Sequence, residues 1–226
     1  MLIEKSTVGS WVAINPSNAK VMDVYGIDFC CGGNISLDEA AKAKNINVSE
    51  LLKLLNSGKP QANQDNPNEM CLDKLVDFLV EEFHMEMRRD IPTIIHYLDK
   101  VVVAHSVNHP ELAEIELLVK EGMNELLFHI QKEETILFPL IKKAVLDSTE
   151  KFVLQPISVM EHEHESEGKR MKRISTLTNQ YQAPSDACNT FKTLYSMLAE
   201  FESRLHLHIH IENNILFPKV KKLFNS

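Results

Sequence analysis

The chain has 226 residues, 44% of them hydrophobic, and a formal charge of −8: room for one large domain, or one of ordinary size with a small companion. The acidic balance argues against a nucleic-acid-binding surface, which needs clustered Lys and Arg. No run approaches the roughly 18 apolar residues of a membrane span, and the opening MLIEKSTVGSW lacks the basic and apolar segments of a secretory signal, so a cytoplasmic protein without membrane contact is expected.

Residues 1–58 read as a small helical unit. Pro16 suits a first helical turn and Gly26 the residue just past a helix end. After the loop IDFCCGG, Ser36 and Glu39 form a capping-box pattern, and Asn47 with Glu50 forms a looser one before a helix that Gly58 would end. A unit this small has little core of its own and is expected to dock. Residues 59–69, KPQANQDNPNE, are rich in Pro and Asn without an apolar period and read as a linker.

From residue 70 to 226 the pattern becomes long helices with apolar seams at steps of three and four. One seam runs Val80, His84, Met87, Ile91, Ile94, Leu98. A second runs Leu112, Ile115, Val119, Gly122, Leu126, His129, Glu133, Ile136, Leu140. A third runs Val153, Ile157, Met160, His164, and the last Phe191, Leu194, Leu198, Phe201, Leu205, His208, Glu212, Ile215. Turns are expected at 105–110, 146–150 and 181–189. The fold class is therefore all-α: a small helical N-terminal domain followed by an up-down-up-down four-helix bundle.

Histidine carries the chemical signal: all ten lie between His84 and His210. The stretch HIQKEETILFP, from His129, returns as HIHIENNILFP, from His208. His129 with Glu133, and His208 with Glu212, each share a helix face that should be apolar. A buried carboxylate costs several kcal/mol (of the order of 5) unless it is paired or binds a metal. In antiparallel neighbours, residues at one level are equidistant from the intervening turn. The midpoints between His84, the His129/Glu133 pair, His164 and the His208/Glu212 pair all fall in the expected turns, placing these residues in one layer. Imidazole plus carboxylate suits iron, and also zinc or manganese. Six ligands would serve two ions bridged by Glu133 and Glu212. Ferritin-like sites use Glu-x-x-His instead.

His162, His206 and His210 sit two residues from a seam histidine and face away from the seam, in solvated or supporting roles. A competing His206/His210 pair is set aside because the repeat aligns His208 with His129. His105 lies about 30 Å along the helix from His84, and His96 is off the stripe. Pro139 and Pro218 either end their helices or kink them beside the layer. Cys30 and Cys31 precede a capped helix whose N-terminus would favour a thiolate, so they are candidate reactive or metal-transfer thiols; the alternative is that one packs as a small hydrophobe. The four cysteines show no disulfide framework or zinc-ribbon spacing.

Taken together, YGIDFCCGG, HMEMRRDIP, HPEL, HIQKEETILFP, PISVMEHEHESEG and HIHIENNILFP, in this order, resemble the ScdA/YtfE type of iron-sulfur cluster repair protein, the repair-of-iron-centres family. The resemblance implies a hemerythrin-like bundle holding two non-haem iron ions, oxo- and carboxylate-bridged, on His84, His129, Glu133, His164, His208 and Glu212. It also implies repair of clusters damaged by oxidative or nitrosative stress, with damaged or apo iron-sulfur proteins and small ligands such as nitric oxide or oxygen as partners, and a cytoplasmic homodimer. An oxygen- or nitric-oxide-binding carrier or sensor and a nitric oxide reductase are the alternatives. No general acid, nucleophile or organic-substrate pocket stands out, which leaves enzyme status open.

Overall fold

The computed structural model describes residues 3–57, 66–146 and 151–224. Among the described residues the regular structure is helical, apart from one antiparallel bridge between Thr7 and Ser36.

The N-terminal unit holds α1 (Val8–Ile14), α2 (Asn18–Val24), α3 (Leu37–Ala43) and α4 (Val48–Ser57). Thr7 caps α1 by accepting from the Ser10 amide. Pro16 lies two residues ahead of α2, in the turn that leads into it. Gly26 stops α2 with φ +61°, and the Ile27 amide reaches back to the Met22 carbonyl at 2.9 Å, the left-handed ending that favours glycine. The capping box forms at α3: Ser36 Oγ accepts from the Glu39 amide, and Glu39 Oε2 accepts from the Ser36 amide. Gly58 and the first part of the expected linker lie outside the described residues.

Four rods make the bundle. The first is α5 (Leu72–Leu79), a π turn (Val80–His84) and α6 (Met85–His105). The second is α7 (Leu112–Lys132), a π turn (Glu133–Leu137) and α8 (Phe138–Leu146). A short 3₁₀ turn (Lys151–Val153) leads into α9 (Leu154–Leu177), the third. The fourth is α10 (Asn189–Ile211), a π turn (Glu212–Leu216) and α11 (Phe217–Lys222). Neighbours pack in a closed ring, α6 on α7, α7 on α9, α9 on α10 and α10 on α6. The expected turn at 146–150 falls almost wholly outside the described residues.

The π turns revise the seams. Each adds a residue to one turn and rotates the downstream residues by about 100°, from the 3.6-residue period. Upstream of its π turn the second seam is buried as expected. Beyond it, Ile136 is 50% exposed and Leu137 and Ile141 are buried instead, with Leu140 only half-buried. In the first rod Leu79 and Phe83 fill the core where Val80 was expected. The same turns account for the two prolines. In the π turn the Phe138 amide bonds to the Glu133 carbonyl and the Phe217 amide to the Glu212 carbonyl, five residues back. The wider turn accommodates a following ring that has no N–H to give. Each rod runs on past its proline, so neither is a helix end.

The N-terminal unit docks on the fourth rod, α1 against the Glu212–Leu216 turn and α10, and α2 against α10. The second half of the linker is tied down as well. Asn68 donates its amide to the Ala13 carbonyl, and the Lys219 ammonium donates to the carbonyls of Pro67, Asn68 and Met70 at 3.3, 2.8 and 2.7 Å. Lys219→Met would leave those carbonyls without their donor. It is expected to lower stability by about 1–3 kcal/mol, read as a fall in the thermal unfolding midpoint followed by circular dichroism, with helix content unchanged.

Candidate metal centre

Each rod delivers its polar seam residues to one level. His84 closes the first π turn, while Glu133 and Glu212 each open theirs, one turn after His129 and His208. α9, which enters the layer without a π turn, supplies His164 alone. All six side chains are buried, and His84, Glu133, His208 and Glu212 have no exposure at all.

The six fall into two groups whose donor atoms lie within 4.8 Å of one another: His129, Glu133, His164 and Glu212, and His84, Glu133 and His208. Glu133 belongs to both. Its Oε1 is 3.1 Å from His129 Nε2 and its Oε2 3.3 Å from His84 Nε2. Glu212 spans in the same sense, Oε2 being 3.1 Å from His164 Nε2 and Oε1 3.7 Å from His208 Nε2. The ring nitrogens meet in pairs, His84 with His208 and His129 with His164, each at 3.1 Å.

Three rings are oriented from behind. His84 Nδ1 donates to Glu134 at 2.7 Å, His129 Nδ1 to Glu163 at 2.8 Å, and His164 Nδ1 to Asn213 Oδ1 at 2.9 Å. Arg88 holds Glu134 at 2.7 Å and Lys132 holds Glu163. With a proton kept on Nδ1 by an acceptor oxygen, each Nε2 is directed to the interior and offers a lone pair when the ring is neutral; His129, which Glu133 and Glu163 hold charged, must first release its Nε2 proton to do so. His208 Nδ1 is buried without a partner. These supporting residues were missed in the sequence. Each stands beside a residue of the layer in the chain (Glu134 after Glu133, Glu163 before His164, Asn213 after Glu212), and a polar residue at the edge of a seam was the available signal.

Charges sort unevenly across the layer. Burial pushes Glu133 up, but the His129, His84 and His208 rings override it and hold the carboxyl well below its usual range. Burial and the Glu133 charge push Glu212 well above. Burial opposes a charge on His129, yet Glu133 and Glu163 raise it to about 9, while burial and the charged His129 lower His164 to about 4. The four carboxylate oxygens of Glu133 and Glu212 are buried without a hydrogen-bond partner. Converging lone pairs beside unpaired carboxylate oxygens fit cations, because a cation supplies the charge that would satisfy both.

A cavity of about 280 Å³ opens outward from this layer between α7, α9 and α10. His129, His164 and His208 lie at its inner end and Leu126, Leu205 and Ile209 form its walls.

The remaining histidines lie elsewhere. His162 is exposed. His206 and His210 face the N-terminal unit rather than solvent. His210 is buried with Nδ1 3.0 Å from the Phe29 carbonyl, and His206 Nδ1 is 3.4 Å from Asp23. His105 stays at the far end of its helix, 3.2 Å from Cys188 Sγ.

The cysteine loop needs a correction. α3 begins only at Leu37, so neither cysteine stands at its N-terminus. Asp28 Oδ1 instead takes the amides of Cys30 and Cys31 at 3.0 and 2.9 Å. The hydrogen bond with Cys31, burial and the nearby Asp28 charge push the Cys30 thiol well above its usual value, which disfavours the thiolate. Both cysteines are free. The loop lies directly behind the layer: Cys31 Sγ is 3.4 Å from the His164 carbonyl, and Asn213, which holds the His164 ring, also reaches the Cys30 carbonyl at 3.4 Å.

Residues 4–59 match a domain of unknown function, DUF542, and residues 71–220 match the hemerythrin HHE cation binding domain. The chain is 33% identical to the iron-sulfur cluster repair protein ScdA of Staphylococcus haemolyticus, over 97% of this chain and 99% of that one. It is 36% identical to a probable iron-sulfur cluster repair protein of Haemophilus influenzae, over 91% and 92% of the two chains. It is 32% identical to the iron-sulfur cluster repair protein YtfE of Musicola paradisiaca, over 97% of each. The chain belongs to this ScdA/YtfE family of iron-sulfur cluster repair proteins, and its bundle is a hemerythrin HHE cation-binding domain.

Replacing Glu212 with Gln puts a neutral amide where burial and the Glu133 charge hold a carboxyl protonated, and so removes the cost of taking up that proton at neutral pH. The metal-free variant is expected to be more stable than metal-free wild type by about 1–2 kcal/mol, while binding no more than half the metal. Thermal unfolding in chelator and metal analysis after reloading measure the two effects separately.

Proposed function

We propose that the six residues hold a pair of iron ions bridged by Glu133 and Glu212, and that the protein uses this centre to repair iron-sulfur clusters damaged by oxidative or nitrosative stress. The observation that carries the reading is the sharing of Glu133 by two buried donor groups whose carboxylate oxygens have no other partner. A donor set of imidazole and carboxylate without thiolate suits iron among the first-row metals, and the relatives' names supply the context of cluster repair. Bound there, iron supplies reversible one-electron chemistry and affinity for small ligands.

The chain's own residues set the conditions for that chemistry. Glu134, Glu163 and Asn213 keep three imidazoles in the tautomer that presents Nε2 inward. Leu126, Leu205 and Ile209 line the approach with apolar surface, which excludes bulk water and admits small uncharged molecules. Cys30 and Cys31, on a loop hydrogen-bonded to the layer's backbone, are the groups through which iron supply to an apo or damaged cluster protein would be relayed. Among the described residues no helix is long and apolar enough to cross a membrane; a cytoplasmic homodimer is the setting this reading carries.

A second reading, a carrier or sensor that binds oxygen or nitric oxide, is favoured by the apolar cavity, and nitric oxide reduction is a third. Protein isolated anaerobically is expected to contain two irons per chain with the Mössbauer signature of a coupled pair, and to transfer iron to an apo-cluster acceptor. Cys30→Ser with Cys31→Ser is expected to slow that transfer at least tenfold at unchanged iron content. Stoichiometric iron without transfer, together with reversible oxygen binding by the reduced protein, would establish the carrier instead. Catalytic release of nitrous oxide would establish the reductase.

A further inference from the structure

Two carboxyl groups at the cavity leading to the layer, Glu125 and Glu167, belong neither to the six residues nor to their supports, and of the two Glu167 is the buried one. Glu167 stands on α9, three residues past His164 and so on the same face. It is buried, at 8% exposure, and lines the cavity together with His129, His164 and His208. Arg170 holds its Oε2, and Arg170 is held in turn by Glu125 at 2.6 Å. The other oxygen, Oε1, is buried with no partner.

Facing it on α7 is Gly122, and this glycine is what makes the arrangement fit. A Cβ there would lie 2.7 Å from Arg170 Cδ and 3.1 Å from Glu167 Oε1, so any larger residue would push the pair out of place. Arg170 keeps its charge at any physiological pH and therefore positions Glu167 rather than passing a proton to it. A buried carboxyl oxygen without a partner costs about 1–3 kcal/mol, a cost the fold carries at the wall of a cavity whose surface is mostly apolar. Burial pushes the Glu167 carboxyl up despite Arg170, in the direction that makes it a hydrogen-bond donor.

We propose that Glu167 is the polar contact for a small diatomic ligand in this cavity, giving a hydrogen bond to the ligand's outer atom, with Arg170 fixing the carboxyl and Gly122 providing its space. This makes Glu167 a specificity-determining residue: it favours a ligand whose free end accepts a hydrogen bond over an apolar gas of the same size. The assignment rests on the iron-loaded reading given above.

The test compares nitric oxide complexes of the iron-loaded full-length protein for wild type, Glu167→Gln, Glu167→Leu and Gly122→Ala, after iron analysis of each. Infrared spectra in H₂O and D₂O report the N–O stretch, and stopped-flow mixing reports dissociation. Wild type and Glu167→Gln are expected to show a solvent-isotope shift of the stretch. Glu167→Leu is expected to lose that shift and release nitric oxide about tenfold faster, the equivalent of about 1.4 kcal/mol, and Gly122→Ala to release it a few-fold faster with the carboxyl retained. A Glu167→Leu protein with full iron and an unchanged stretch, isotope shift and dissociation rate would overturn the role of Glu167 alone. A wild type that loads iron yet forms no nitrosyl complex would overturn the small-ligand reading, and the role of Glu167 with it.

Discussion

The structure depends on one electrostatic imbalance at the centre of the bundle. Four imidazole nitrogens and four carboxylate oxygens converge where water is excluded, and the oxygens have no hydrogen-bond partner. In a folded protein held together by a margin of about 5–15 kcal/mol, such a cluster persists only if the surrounding packing bears its cost. Here the packing is the continuous apolar lining of four rods, with Ile94, Leu98, Leu112, Ile115, Phe191 and Leu194 among its fully buried members. Stability is thus generated away from the layer and spent within it, and a cation returns part of that cost on binding.

Delivery of the six side chains to that layer is a matter of helix geometry. Three of the four rods contain a π turn at the level of the layer, with His84, Glu133 or Glu212 at one end of it. A regular α-helix passing through this level would keep its seam in phase on both sides. A His and a Glu four apart already share a face of the regular helix; the extra residue changes the phase only beyond them, where Leu137 rather than Ile136 meets the core. Pro139 and Pro218 fit the same geometry, because each follows a turn already widened by a five-residue hydrogen bond. π turns in proteins concentrate at functional sites, and these three surround this one.

The N-terminal unit is coupled to the layer through backbone and amide contacts and through the Cys31 thiol, 3.4 Å from the His164 carbonyl. Asn213 holds the His164 ring with its oxygen and reaches the Cys30 carbonyl with its nitrogen, Asn214 bonds the same carbonyl at 3.0 Å, and His210 holds the Phe29 carbonyl. A displacement of the Cys30–Cys31 loop would therefore be felt at His164 through Asn213 and through the Cys31 thiol. The raised Cys30 thiol and the Asp28 carboxylate beneath it describe a protected loop, unlike the activated nucleophile expected at a helix N-terminus.

Much of this was legible in the linear chain. The seams of the bundle, the capping box at Ser36 and the Gly26 stop follow from local rules, and the repeated His-x-x-x-Glu with its level histidines announced itself because charged residues on an apolar stripe demand a reason. Such features are short-range: periodicity and caps depend on neighbours three or four residues away. Only the tertiary structure decided the rest. The π turns moved the buried face from Ile136 to Leu137, a choice made by which phase fills the core. The acceptors behind the rings, the docking of His206 and His210 on the N-terminal unit, and the pairing of Glu167 with Arg170 over Gly122 required elements far apart in the chain to meet. Sequence determined which side chains had to be satisfied; the packing of the rods determined what satisfies them, because partners across a bundle are set by distance in space and leave no spacing to read.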